Sequence, residues 1–132
     1  MNIEKVEKKL NTTKRMQIID ITPQADEVIS SLEINSGIIS LWVPHTTACI
    51  TINENDSNLW QDMLNRYKDL VPLENNYLHP KNAHAHILSS LIKPSLQIPV
   101  IEGKMTLGTW QRVLFIELDG PRQRKVVYTL MY

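Results

Sequence analysis

The stretch IISLWVPHTTACITIN, residues 38–53, predicts two β-strands joined by a short segment that carries His45. Both Ile38–Pro44 and Thr47–Asn53 are rich in β-branched residues, which favour strands. In the second of them, apolar and polar side chains alternate, as they do in a strand with one face toward a core. We therefore expect a sheet at the centre of the chain, with a histidine at the end of an apolar strand.

Further strands and helices are predicted on both sides of this centre. The expected strands are Ile3–Leu10, Met16–Ile21, Leu96–Ile101, Lys104–Leu107, Arg112–Leu118 and Arg124–Met131. Helices are expected where a good N-cap residue precedes an apolar pattern at helical spacing, namely after Thr22, after Asp56 or Ser57, and after Asn82. The first strand is rich in Lys and Glu, which suits a sheet edge. The layout predicts an α+β fold in one domain over residues 1–132, a sandwich of mostly antiparallel strands with about three helices.

Composition indicates a soluble globular protein without a charge bias. Of the 132 residues, 42% are hydrophobic and 21% are charged, and 14 Lys and Arg balance 14 Asp and Glu. A net charge of zero gives no bulk attraction to nucleic acid or to a membrane surface, so neither is an expected partner. Cys49 is the one cysteine, which excludes an internal disulfide. The chain shows no signal-peptide core and no apolar run of about 20 residues, so we expect a cytoplasmic protein.

All four histidines lie in two short segments: His45 stands alone, and His79, His84 and His86 follow within residues 79–86. Imidazole is the commonest metal ligand in proteins. If a helix begins near Asn82, residues two apart point about 200° away from each other around its axis. We therefore expect only His86 to join His79 and His45, and His84 to be a solvated residue of the first turn.

Three neutral imidazoles with an open fourth position would form a catalytic type of zinc site. No His-Glu-x-x-His motif supports this possibility, so the spacing alone leaves two interpretations open. One is a metal site formed by His45, His79 and His86. The other is a structural or surface role, which is common for histidines in loops.

Two polar stretches could add to such a site, although each has a simpler explanation. Glu54 could act as a general base or orient a histidine, with Asn53 beside it, but a plain strand-to-helix turn would explain both residues. Trp110 could stack on a ring and Gln111 could bind a polar edge, but tryptophan is more often a core residue.

Two arginines follow a predicted turn at Gly120-Pro121. Arg122 and Arg124 could hold a phosphate through their fork of N–H donors, although arginines in hairpins are usually just solvated. Cys49 lies in the middle of a predicted strand and has no basic partner, so we expect it to pack in the core and not to act as a nucleophile.

The same residues, taken in order, resemble the YjbQ family along nearly the whole chain. The matching stretches are His45–Asn55, Ala85–Leu91, Ser95–Val100, Gly103, Leu107–Gln111, Glu117 and Gly120–Arg124. The resemblance implies a compact α+β sandwich assembled as a homotrimer. It also implies a weak thiamine-phosphate synthase activity, which joins a pyrimidine pyrophosphate to a thiazole phosphate and releases pyrophosphate.

The recurrent histidines of the family fall on His45, His79 and His86, which implies a metal or ligand site there. His84 stands where many relatives have proline, and the loop between His79 and His86 is shorter than in relatives. The residues fit a synthase only in part. A diphosphate substrate calls for magnesium held by carboxylates or for a glycine-rich loop, and the sequence shows neither a tight carboxylate pair nor a glycine-rich loop. Three histidines suit zinc better than magnesium.

We therefore expect a YjbQ-type site that binds a small phosphorylated molecule, with zinc as the favoured divalent metal, or magnesium if the synthase activity holds. The residues expected to be catalytic are His45, Glu54 and His86, with Glu54 supporting proton transfer. Those expected to bind the ligand are Asn53, Trp110, Gln111, Arg122 and Arg124, and those expected to bind metal are His45, His79 and His86. Two alternatives stay open: a metal-assisted hydrolase of a phosphorylated metabolite, and a non-catalytic trimer that binds a small ligand or a metal.

Overall fold

The computed structural model describes residues 1–132 and contains the predicted kinds of element in the predicted order. Its strands are β1 (Ile3–Asn11), β2 (Gln17–Asp20), β3 (Gly37–Trp42), β4 (Ala48–Asn53), β5 (Ser95–Ile101), β6 (Lys104–Met105), β7 (Arg112–Glu117) and β8 (Gln123–Met131). Its helices are α1 (Thr22–Ser31), α2 (Ser57–Leu70) and α3 (Ala83–Ile92). The α+β prediction is therefore confirmed, and its three helices are all present.

The strands form two antiparallel sheets. The large sheet has five strands in the order β1-β8-β3-β5-β6, and the small sheet has three in the order β2-β7-β4. As predicted, β1 lies at an edge, where its exposed lysines and glutamates discourage pairing with another chain. The turn that joins β7 to β8 crosses from the small sheet to the large one, so both sheets meet there.

The small sheet is buried on both faces. On one face Val113 and Phe115 of β7 belong to a core of 19 buried residues between the two sheets, to which α1 also contributes. On the other face Leu114 and Ile116 belong to a second cluster of nine buried residues under α2 and α3. Burying a side chain of this size stabilises the fold by about 1.5–3 kcal/mol. The double burial explains why this strand is apolar throughout and does not alternate.

The predicted helix starts differ in how their caps are used. The Asp56 carboxylate caps α2 by accepting hydrogen bonds from the N–H groups of Asn58 and Leu59, at 2.9 and 3.1 Å. Asn82 takes the N-cap position of α3, but its side chain makes no cap hydrogen bond. No helix of the structure is both long and apolar enough to cross a membrane.

The sequence predicted Thr22 as the N-cap of α1, and this prediction is wrong. Ile21 holds the cap position and Thr22 is the first helical residue. The Thr22 hydroxyl accepts a hydrogen bond from the N–H of Val113 at 2.8 Å, and the Asp20 carboxylate accepts one from the N–H of Thr22 at 2.9 Å. The hydroxyl is thus used to tie α1 to β7, and an upstream carboxylate serves the helix end.

The prediction that His84 is solvated is wrong, because its side chain is fully buried in the first turn of α3. Its Nε2 lies 3.3 Å from Nη2 of Arg15, which can only donate, so Nε2 accepts and Nδ1 carries the proton. That Nδ1 has no hydrogen-bond partner. Burial and the nearby Arg15 charge lower the pKa of His84, so the ring is held neutral.

We expect the stability of the protein to fall between about pH 7 and pH 5, and His84 to cause part of the fall. The unfolded chain takes up a proton below about pH 6.5, whereas the folded state keeps His84 neutral, so stability present above that pH is lost as the pH falls. The loss is at most about 1.4 kcal/mol per pH unit for one histidine. The free energy of unfolding, measured with urea at several pH values, should fall less steeply with decreasing pH in His84→Gln than in the wild type.

Part of the pH dependence of the unfolding free energy should remain in that variant, because the pKa of His45 is also lowered in the folded state. Carboxylates with lowered pKa values add their own loss only as the pH falls further, toward the usual carboxylate range of about 4. An equal change of unfolding free energy with pH in the wild type and in His84→Gln would contradict the assignment of a neutral, buried His84.

Candidate functional site

His45 and His86 line one cleft of about 520 Å³, at the end of the sandwich where the β7–β8 turn lies. Three segments supply its walls: the loop between β3 and β4, the start of α3, and the turn leading into β8. The lining residues, which together we call the histidine cleft, are Pro44, His45, Thr46, Thr47, Asn82, His86, Asp119, Arg122, Gln123 and Arg124.

A buried ion pair between Glu117 and Arg124 holds this end of the sandwich together. Glu117 is fully buried and Arg124 is 4% exposed. Nε of Arg124 donates to Glu117 at 2.8 Å, and its Nη2 donates to the other carboxylate oxygen and to the Oγ1 of Thr47, the latter at 3.0 Å. Burial alone would raise the pKa of Glu117, but hydrogen bonds from Arg124 and from the Thr12 hydroxyl hold it below its usual value.

Both arginines of the cleft keep one nitrogen free of protein partners. Arg124 uses Nε and Nη2 as described, and its Nη1 has no partner yet is not sealed from solvent. Arg122 donates from Nε to the carbonyl of Asp119 at 2.9 Å and from Nη2 to the carboxylate of Asp119 at 3.0 Å. Its Nη1 is likewise unengaged. Each guanidinium is thus held in place by two nitrogens and offers the third.

His45 keeps one ring N–H free to donate. Its Nε2 accepts a hydrogen bond from the backbone N–H of Lys125 at 3.0 Å, so the proton of the neutral ring sits on Nδ1. Partial burial and the charge of Arg124 lower the pKa of His45, which keeps it neutral near pH 7. The ring therefore presents a fixed N–H group.

His86 and His79 lie against each other, as the sequence predicts for a helix that begins near Asn82. Their ring centroids are 4.7 Å apart and the rings are inclined by 70°. His79 is exposed and its Nε2 lies 3.1 Å from Oδ1 of Asn82. The side chain of His86 has no hydrogen-bond partner in the chain, so both of its nitrogens are available to a ligand.

Asp119 is a cleft residue that the sequence argument missed. Its carboxylate accepts hydrogen bonds from Nδ2 of Asn82 at 2.9 Å and from Arg122. Burial opposes ionisation, but these two donors lower the pKa of Asp119 below its usual value. An aspartate before Gly120-Pro121 is typical of a turn, so nothing in the local pattern distinguished it.

The three histidines do not fit a metal ion within one chain. A ligating imidazole must offer a lone pair, but Nε2 of His45 is engaged by Lys125 and its Nδ1 is protonated. No group of three His, Cys, Asp or Glu side chains in the structure is arranged so that it could hold a metal. Binding of a divalent metal stays a prediction.

The other predicted site residues lie at the opposite end of the small sheet. In the pairing of β4 with β7, Ala48 is opposite Glu117 at one end and Asn53 is opposite Arg112 at the other. A strand of this length separates the two ends by about 17 Å. Asn53 and the adjoining Glu54 are therefore well away from His45 within one chain.

Glu54 and Trp110 share a separate cleft of about 460 Å³ at that far end. Trp110 is 72% exposed, so it is not a core residue, although tryptophan usually is. Gln111 folds back, and its side-chain oxygen accepts a hydrogen bond from the N–H of Gly108 at 2.7 Å. One chain thus brings together the histidines and arginines but not this second group.

Cys49 is fully buried, as predicted, and burial raises its pKa to about 12.

Comparison with known proteins identifies the family of this chain. Residues 6–132 match the model of a family described as UPF0047 protein YjbQ-like. The chain belongs to the YjbQ/UPF0047 family. A UPF0047 protein of Archaeoglobus fulgidus is 43% identical over 121 residues, which cover 89% of this chain and 94% of that one. The YugU protein of Bacillus subtilis is 41% identical over 125 residues, with 92% and 95% covered.

Solved structures of YjbQ-like proteins share the fold over their whole length. A protein of Aeropyrum pernix K1 superposes with a TM-score of 0.95 at 36% identity, covering 97% of this chain and 98% of its own. A YjbQ/UPF0047-family protein of Clostridium acetobutylicum gives a TM-score of 0.93 at 41% identity, with 96% and 99% covered. The resemblance inferred from the sequence is confirmed.

We expect Glu117 and Arg124 to be strongly coupled in the stability of this YjbQ-family protein. Arg124→Leu or Glu117→Leu alone should cost about 3–5 kcal/mol, because each leaves an uncompensated buried charge. The double variant should cost clearly less than the sum, as a double-mutant cycle by urea unfolding would show. The exposed pair Arg66 and Asp69 on α2 is the control, where removal of one partner should cost less than about 1 kcal/mol. Additive losses at Glu117 and Arg124 would contradict the coupling.

Proposed function

We propose that this YjbQ-family protein binds a small phosphorylated molecule in the histidine cleft. The observation that carries the proposal is that three residues lining that cleft each keep an unpaired N–H donor: Nη1 of Arg122, Nη1 of Arg124 and Nδ1 of His45. Phosphate oxygens accept such charge-assisted hydrogen bonds well, and arginine is suited to them by its planar fork.

The donors are held in place before any ligand arrives. Arg124 is fixed by Glu117 and Thr47, Arg122 by Asp119, and His45 by the backbone of Lys125. Because the groups do not have to reorganise, little ordering free energy is lost on binding. The carboxylates offset the arginine charges, so attraction of an anion is local and directional and does not come from a broad positive surface.

An adjoining pocket of about 290 Å³ supports a ligand with an apolar part. It shares His45, Thr46 and His86 with the cleft and is completed by Ala48, Ser89, Ser90 and Pro94. A molecule with its phosphate among the arginines could place a ring beside Ala48 and Pro94. His86 borders both spaces, and its unengaged nitrogens suit it to give or take a proton there.

The reaction that the family resemblance favours is thiamine-phosphate synthesis, as a weak or side activity. In it, the cleft donors would stabilise the charge on the departing pyrophosphate, and His86 would supply a proton. A hydrolase of a phosphorylated metabolite is the alternative, with His86 taking a proton from water. A non-catalytic ligand-binding protein is the third possibility. Assembly as a homotrimer remains part of the proposal and is supported by the resemblance alone.

Phosphate binding tests the proposal directly. Titration of the protein with inorganic phosphate and with pyrophosphate, followed by calorimetry, should show binding that Arg122→Ala weakens about tenfold, the effect of one charge-assisted hydrogen bond. Arg66→Ala removes an exposed arginine that does not line the cleft and should leave the affinity unchanged. Equal weakening by both substitutions would reduce the effect to general charge and would refute the site.

Turnover tests whether binding leads to chemistry. Metal-replete protein supplied with the two thiamine precursors should form product above the level of His86→Ala if the synthase activity is real. Release of inorganic phosphate from phosphorylated metabolites, with the same control, tests the hydrolase. Product at or below the His86→Ala level in both assays would leave binding as the function of the cleft.

A further inference from the structure

The side chain of Asn82 is used in an unexpected way. Asparagine is among the best N-cap residues, yet at the start of α3 it makes no cap hydrogen bond. Its amide instead lies between Asp119 and His79, with Nδ2 2.9 Å from the Asp119 carboxylate and Oδ1 3.1 Å from Nε2 of His79. A loop residue, a helix start and a turn are thus connected through one side chain.

The order of these contacts fixes where the proton of His79 lies. The Asp119 carboxylate is ionised and can only accept, so the Asn82 group that faces it must be the NH₂. The amide oxygen then faces His79 and also can only accept. Nε2 of His79 must therefore be the donor, and in the neutral ring Nδ1 carries the lone pair. The amide orientation follows from the carboxylate and is not a free choice.

We propose that Asp119 and Asn82 are positioning residues that hold His79 in the tautomer with its proton on Nε2, so that Nδ1 of His79 accepts a hydrogen bond from a hydroxyl or amine of a ligand that reaches His86. The part that concerns the ligand rests on the proposed phosphate-binding function. His45, fixed in the opposite tautomer by Lys125, offers a donor. The site therefore has a donor side for phosphate and an acceptor side for a neighbouring O–H or N–H group.

The position of His79 supports this division. His79 and His86 both line a cavity of about 460 Å³ beside the histidine cleft, together with Tyr77 and Ile87. Because His86 borders both spaces, a ligand extending over it from the arginines would meet His79 next. Asn82 orients His79 as an amide orients an imidazole in other proteins, where the partner of one ring nitrogen decides the chemistry of the other.

The alternative is that Asn82 only ties the β7–β8 turn to α3, with no consequence for the imidazole. Nitrogen NMR of histidine-labelled protein separates the two, because it reports which ring nitrogen carries the proton. At about pH 8, above the usual histidine pKa of about 6.5, the neutral rings dominate. His79 should then show its proton on Nε2, and His45 should show its proton on Nδ1.

Substitution of Asp119 tests the cause. In Asp119→Asn the partner of Asn82 is no longer acceptor-only, so the Asn82 amide is free to turn over and His79 should become a mixture of both tautomers. Asn82→Ala should give the same mixture without altering Asp119, and it serves if Asp119→Asn does not fold. Asp69→Asn, an exposed acid on α2, is the matched control. The His45 signal should stay unchanged throughout and reports that the cleft is intact.

The proposal is overturned if wild-type His79 carries its proton on Nδ1, or if both Asp119→Asn and Asn82→Ala leave His79 wholly in the Nε2–H form. These outcomes do not depend on phosphate. The ligand part is tested with two matched probes, 2-hydroxyethyl phosphate and ethyl phosphate. The wild type should prefer the hydroxyl-bearing probe about fivefold, as one hydrogen bond allows, and Asn82→Ala, in which His79 is a mixture of tautomers, should show a smaller preference.

A preference absent from the wild type, or one that is undiminished in Asn82→Ala, overturns the ligand part. If neither probe binds, the proposed phosphate-binding function fails, and the NMR result still decides the tautomer.

Discussion

The ion pair between Glu117 and Arg124 is the contact on which both the fold and the cleft depend. Glu117 ends β7 in the small sheet and Arg124 lies in β8 of the large sheet, so the pair joins the two layers where the chain crosses between them. Thr12 and Thr47 complete its hydrogen bonds from either side. A pair so deeply buried is tolerable only because nearly every donor and acceptor is satisfied. The same contacts hold the loop that carries His45, so stability and site geometry cannot be separated here.

The sequence predicted the elements well because their signals are local. Alternation, β-branched residues and the caps at Asp56 and Asn82 place strands and helices within a few residues. Burial is not local, and the predictions that depended on it were less secure. His84 looked like a solvated first-turn residue, but Arg15, distant in sequence, covers it. Arg124 looked like a free phosphate ligand, but two of its three nitrogens serve Glu117 and Thr47.

The sequence predicted only part of the candidate site, again because local patterns do not show how distant segments pack together. The resemblance gave candidate residues in their order along the chain, but order says nothing about which end of a strand each residue occupies. His45 precedes β4 and Glu54 follows it, so one strand length separates them. His86 and His79 could be paired because a helix start fixes local geometry over a few residues. Asp119 could not be found at all, since its role appears only when the β7–β8 turn is packed against α3.

The hydrogen-bond partners of the histidines say more about possible chemistry than their number does. The backbone N–H of Lys125 fixes a lone pair on Nε2 of His45, and the proposed arrangement at Asn82 fixes a proton on Nε2 of His79, which together would give the site a defined polarity. A metal would need three lone pairs converging on one point, and His45 does not provide one. The proposed ligand has acceptor oxygens at one end, for the N–H donors of the cleft, and a donor group further along, for His79. His86 lies between these two ends, and neither of its ring nitrogens has a hydrogen-bond partner in the chain.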